Sequence, residues 1–102
     1  MDFGDALRAM KDGHKVAREG WNGTNMWIAL TPGSLFDAGL AKDGHAAKFR
    51  AAEVDEINAA NPEGYIQIRL LPHIDMRSAD GSMVVGWLAS QTDMLAEDWQ
   101  IV

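Results

Sequence analysis

The chain reads as an α+β fold: a short N-terminal helix packed on a small antiparallel β-sheet, with an Ala-rich helical insertion. Three observations predict it. Phe3, Ala6, Leu7 and Met10 recur at helical spacing near the amino terminus. Two turn pairs, Asn22-Gly23 and Asp80-Gly81, each separate segments of β-prone residues. Between these, residues 34–64 shift in composition to Ala with scattered Lys, Asp and Glu.

Taken in order, Asp2 can cap a helix over Asp2–Lys11, and Gly13 stops it. Lys15–Trp21 alternates loosely, as a strand does. The Asn22-Gly23 pair then predicts a tight hairpin, with Met26–Thr31 as the returning strand. Pro32-Gly33 ends that strand. Within the insertion, Ala46–Ala60 suits one or two helical pieces that end at Asn61-Pro62. Tyr65–Leu71 is a strand by its Tyr and Ile content. Ile74–Met76 and Met83–Leu88 form a second hairpin about Asp80-Gly81. Ser90 or Thr92 caps one helical turn through Leu95, and Trp99–Val102 closes the sheet.

A chain of 102 residues predicts a single domain over 1–102, with 34–64 as an insertion within it. Its core is modest, which leaves oligomerisation as a further source of stability. With 47% apolar residues it is globular rather than disordered, and with no cysteine it has neither disulfides nor thiolate metal sites. The charged start DFGDALRAMKDG is unlike a signal peptide, and no apolar run reaches the ~20 residues of a membrane span, so a cytosolic protein is expected. A net charge of −6 opposes binding to polymeric nucleic acid. It does not oppose a small anion, which a few local cations can hold. No Lys or Arg follows Arg77, so a phosphate would need Arg8, Lys11, Lys15, Arg18, Arg69, Arg77 or backbone N–H groups.

The stretch Leu71–Val102 mixes Trp87, Trp99 and three of the six methionines with His73, Asp75, Ser90, Gln91, Thr92, Asp93 and Asp98. A hairpin and a terminal helix do not require that mixture, whereas a pocket for a flat, polar, ring-bearing ligand does. Trp21, between Gly20 and Asn22-Gly23, either covers the sheet end or offers a stacking face for a base. Trp87, after Gly86, is either a core strand residue or a ring against which a ligand lies. Trp27 and Trp99 read as core. Ser90–Asp93 reads as a helix cap, with Asp93 also able to accept from two ribose hydroxyls. His14, His45 and His73 fall in no metal-ligand spacing, and no nucleophile, phosphate-loop or dinucleotide motif occurs. Neither an enzyme, a metal nor a cofactor is expected.

The opening FGDALRAMKDGHKVAREGWNG and the closing LPHIDM and GWLASQTDMLAEDWQIV resemble a family of small phage-encoded proteins that includes the second type of Thoeris anti-defence protein. The resemblance covers roughly the first 30 and the last 35 residues and leaves the insertion unmatched. It implies a sponge, which binds the cyclic ADP-ribose isomers made by bacterial TIR-domain sensors and withholds them from the effector without cleavage. It implies a homotetramer in the host cytoplasm with ligand sites between subunits. By position it assigns Trp21 and Asn22 of GWNG, and Trp87, Thr92 and Asp93 of GWLASQTDM, to the ligand, with Phe3 as a further candidate. Arg18 or Arg77 would meet the phosphates. Related members resemble sponges for cyclic dinucleotides of the CBASS type. Outside the resemblance, the acidic surface with Asp93, Glu97 and Asp98 would suit an inhibitor of a host enzyme. A hydrolase would have to use His73 and Asp75.

Overall fold

Asp2 and Asp5 cap the first helix, α1 (Phe3–Lys11), reciprocally in the computed structural model, which describes residues 1–102. The Asp5 N–H donates to Asp2 Oδ1 at 2.8 Å and the Asp2 N–H to Asp5 Oδ2 at 3.2 Å, satisfying two donors that the first turn leaves over. Ala6, Ala9 and Met10 form the buried face of α1, and Phe3 and Leu7 flank it. The helix ends at Asp12, and Gly13 takes the left-handed conformation, φ +94°, that turns the chain into the sheet.

Residues Met1–Pro32 and Pro72–Val102 make one compact unit. Its sheet has five strands: β1 (Val16–Arg18), β2 (Trp27–Thr31), β5 (His73–Arg77), β6 (Met83–Val85) and β7 (Trp99–Ile101). Their order is β6-β5-β2-β1-β7 and every pairing is antiparallel. The register sets Val16 against Ile28 and Ile101, Ile28 against Met76, and Met76 against Val84. Strand residues alternate between faces, so these side chains share one face. α1 packs there, and Val16, Ile28 and Trp99 join Ala6, Ala9 and Met10 in its core. Ala17, Trp27, Ala29, Asp75, Arg77 and Gln100 lie on the other face. A five-residue helix, α3 (Gln91–Leu95), precedes β7 and is capped by Ser90, which accepts from the Asp93 N–H at 3.1 Å.

Gly33–Leu71 makes a second compact unit with its own core of Ala38, Ala51, Val54 and Ile68. Strands β3 (Ser34–Phe36) and β4 (Ile68–Leu70) pair antiparallel as a two-stranded sheet. Helix α2 (Ala47–Ala60) ends at Asn61, and Pro62 follows. The Asn58 amide both donates to Ile66 O and accepts from Ile66 N–H, fixing the chain ahead of β4. No helix of the protein is long and apolar enough to cross a membrane.

Three local expectations are revised. The β1–β2 connection runs from Glu19 to Met26 and is not a two-residue Asn22-Gly23 hairpin. Such a turn needs positive φ at its central residues, and here the left-handed residue is Asn25, φ 58°. Gly23 serves close packing instead: a Cβ on it would run into the Met26 thioether and come within 2.9 Å of Ala79 Cβ. The strand read over Tyr65–Leu71 is three residues, Ile68–Leu70, because Pro62–Gly64 forms a 3-10 turn and Tyr65 is spent on a hydrogen bond to Asp37. Trp27 lies on the face away from the core, one alternation step from the fully buried Ile28.

Candidate functional site

At the end of the sheet where β1 leaves and β7 enters, four aromatic rings converge. Trp99 is at the centre, 2% exposed. Phe3, the first residue of α1, lies 5.4 Å from it between ring centroids, Trp21 lies 5.3 Å away at 81°, and Trp87 lies 6.3 Å away at 81°. Trp21 and Trp87 also meet edge-on at 6.3 Å. The edge-to-face contacts among Trp21, Trp87 and Trp99 are the favourable arrangement of ring quadrupoles, and Phe3 packs against them at a tilt. Phe3, Trp21 and Trp87 are half-buried, so they form a wall with Trp99 behind it. The chain start helps set Phe3: the Met1 amino group donates to Trp99 O at 2.8 Å, and the Trp99 N–H donates to Met1 O at 3.1 Å.

Below the wall runs a charged network. Arg18, the last residue of β1, donates from Nε to Asp98 Oδ1 at 2.8 Å and from Nη1 to Asp93 Oδ1 at 2.9 Å. The Trp21 Nε1–H also donates to Asp93 Oδ1, at 3.2 Å, and the Trp99 Nε1–H to Asp93 O at 3.0 Å. The Gly20 N–H donates to Asp98 Oδ2 at 2.8 Å. Burial raises the pKa of Asp93, but the hydrogen bonds from Arg18, Trp21 and Ser90 outweigh it and hold the carboxyl below the ordinary value. Arg18 holds Asp98 low against a smaller opposing effect of burial. The two carboxylates in turn raise the pKa of Arg18, Asp98 contributing most. Asp93 thus has four jobs: it caps α3, pairs with Arg18, and orients two indoles.

Beside the wall lies a cleft of about 520 Å³, lined by Lys15, Arg18, Trp21, Trp27, Arg77 and Gln100 among others. Its floor is the sheet face turned away from α1. Lys15 Nζ stands 5.5 Å over the centre of the Trp27 ring, a cation–π contact. Arg77 Nη1 donates to Asn25 O and to Ser78 O, each at 3.1 Å, which ties the β1–β2 connection to β5. Lys15, Arg18 and Arg77 therefore line one cleft together with Glu19, and Arg18 is already paired with Asp93 and Asp98.

The structure brings Phe3, Arg18, Trp21, Trp87 and Asp93 together, and Trp21 and Arg18 belong to both the wall and the cleft. Arg77 joins the cleft alone. Asn22 is exposed in the β1–β2 connection and does not line the cleft, and Thr92 is exposed on α3. Sequence reasoning placed Trp27 in the core, named Lys15 only among six possible phosphate contacts, and named Asp98 only within the polar mixture of 71–102 and the acidic surface. Strict alternation through the buried Ile28 was the signal available for Trp27. The pairing of Asp98 with Arg18 had no local signal, because it spans 80 residues. No group of three or more His, Asp or Glu side chains converges to hold a metal ion. The wall can stack a planar ring, Asp93 and its neighbours can meet hydroxyls, and the cleft cations can meet phosphate oxygens.

The chain is 36% identical over 102 residues to "Thoeris anti-defense 2" of Bacillus phage SP01, covering 100% of this chain and 94% of that protein. The family described as the Thoeris anti-defense 2-like domain matches residues 1–102, insertion included. The chain belongs to the Thoeris anti-defence 2-like family.

Proposed function

We propose that the protein is a phage anti-defence sponge that binds a cyclic ADP-ribose isomer, holds it without cleaving it, and so blocks activation of a Thoeris-type effector. Family membership supports the anti-Thoeris role. The observation that carries the ligand class is the cluster of three half-buried rings, Phe3, Trp21 and Trp87, of which Trp21 bonds the Arg18-paired Asp93 and lines a cleft that also holds Lys15 and Arg77. A cyclic ADP-ribose species offers a purine to the rings, ribose hydroxyls to polar side chains and a pyrophosphate to cations. Sequestration needs affinity alone, and the aspartates of the site are engaged by Arg18 and backbone donors, which suits holding a ligand rather than moving protons. The protein acts as a homotetramer in the cytoplasm of the bacterial host. Val85, Leu88 and Leu95, 73, 91 and 79% exposed on the single chain, are apolar side chains that such an assembly would cover.

A second reading, a cyclic dinucleotide as ligand, is favoured by the cleft itself. Lys15, Arg77 and Trp27 lie outside the aromatic wall and supply cations and a further ring. Titration calorimetry with a cyclic ADP-ribose isomer and with a cyclic dinucleotide, each alone and each in the presence of the other, tests both readings. Saturable binding of the first supports the proposal. Binding of neither contradicts it.

A further inference from the structure

Trp87 stands on the wrong side of the sheet for simple alternation. Asp75 lies opposite Val85, Met76 opposite Val84, and Arg77 opposite Met83. Met76 shares its face with Ile28 and the α1 core, so Val84 does too, and Val85 faces the other way. Continued alternation would put Trp87 with Val85. Trp87 instead packs with Phe3, Trp21 and Trp99 on the core side. The break is at Gly86, where φ is +85° and the next N–H, that of Trp87, donates to Ile74 O at 2.6 Å. An extra residue opposite Ile74, with glycine in the left-handed position, is a bulge that re-aims the side chain after it.

The bulge leaves the Gly86 N–H without a ladder partner, and Asp75 Oδ1 accepts it at 3.0 Å. Asp75 Oδ2 accepts from the Thr31 hydroxyl and lies 3.4 Å from His73 Nε2. Asp75 is the one buried charged residue, 9% exposed, and it sits mid-strand, where an apolar β-branched residue would ordinarily pack. We propose that Asp75 is a positioning residue for ligand binding: by holding the Gly86 N–H, its carboxylate fixes the bulge that aims Trp87 into the aromatic wall. This rests on the reading that the wall receives the ligand's ring. Burial would raise the Asp75 pKa, yet the Thr31 and Gly86 hydrogen bonds and the nearby His73 bring it below the ordinary value, so the acceptor is ionised when the ligand binds.

The test labels the four tryptophans with 5-fluorotryptophan and assigns Trp87 by its loss in Trp87→Phe. In ligand-free protein, Asp75→Ala should shift or broaden the Trp87 resonance. Asp75→Asn keeps an oxygen for the Gly86 N–H and should restore it. Gly86→Ala acts on the bulge alone, since a Cβ there meets no atom within 4 Å and only the backbone is strained, and it should reproduce the Asp75→Ala spectrum even where Asp75→Ala fails to fold. A Trp87 resonance unmoved in both Ala variants overturns the proposal. In the ligand arm, Asp75→Ala should weaken binding of a cyclic ADP-ribose isomer ~10-fold, and add no weakening in a Trp87→Ala background, because the residue acts only through Trp87. A loss that persists in that background also overturns it. If the wild-type protein binds no such ligand, the sponge reading fails, and the fluorine spectra still decide the role of Asp75.

Discussion

Replacing Trp21 tests the wall most sharply, because the indole has two separable jobs. As a ring it offers a stacking face, and as an N–H donor it supports Asp93 at 3.2 Å. Its stability contribution follows from its contacts. Hiding ~100 Å² of a half-buried indole contributes ~2.5 kcal/mol. The edge-on contacts with Trp99 and Trp87 add ~1 kcal/mol together. The hydrogen bond to Asp93 adds ~1.5 kcal/mol. These contributions overlap in one side chain, so Trp21→Ala should cost ~3 kcal/mol rather than their sum, at the low end of measured Trp→Ala values. For a domain of this size that lowers Tm by ~12–24 °C. Trp21→Phe keeps a ring and loses the donor, and should cost ~1–2 kcal/mol. Affinity should separate the two variants. Measured by calorimetry well below every melting point, Trp21→Ala should lose ~10- to 100-fold in binding a cyclic ADP-ribose isomer, the size of one lost stacking contact. Trp21→Phe should lose far less. Equal losses in the two variants would refute stacking as the role of Trp21, and so would full affinity in a folded Trp21→Ala protein.

Other consequences follow from the same contacts. The folded pKa values of Asp93 and Asp98 lie below the ordinary 3.8, so the stability they give is present above pH 3.8 and is lost as pH falls through the folded values. Tm should therefore be flat toward neutral pH and drop below 3.8, with a shallower drop in Asp93→Asn, as thermal melts across pH would read. Trp99→Ala removes the buried centre of the wall and should cost ~3–5 kcal/mol, enough that circular dichroism finds much of the protein unfolded near physiological temperature. Gly23→Ala forces a methyl against Met26 and Ala79 and should cost ~1–3 kcal/mol in chemical denaturation. The homotetramer proposed above, which rests on none of these contacts, should give the mass of four chains by light scattering at micromolar concentration.

Much of the fold was legible because its signals are local. Asp2 and Ser90 cap where their positions indicate, and the stripe Phe3, Ala6, Leu7 and Met10 lies against the core. Asp80-Gly81 makes its hairpin, with Gly81 at φ +89°. Asn22-Gly23 misled because a dipeptide reports preference, and here packing of Met26 and Ala79 against Gly23 decided the path. The sites split the same way. Trp21, Trp87 and Phe3 stand out as aromatics in polar or glycine-rich settings, and they do meet in space. That Arg18 is committed to Asp93 and Asp98 could not be read in advance, because those bonds join β1 to the other end of the chain. Nor could the side taken by Trp87, which depends on a single inserted residue at Gly86.

The central claim is that the ligand is held and not consumed. Excess protein incubated with a cyclic ADP-ribose isomer should deplete the free ligand. Heat denaturation should then return it at full yield and unchanged mass, as chromatography with mass spectrometry would show. Recovery of a cleaved or rearranged product would contradict the account and make the protein an enzyme.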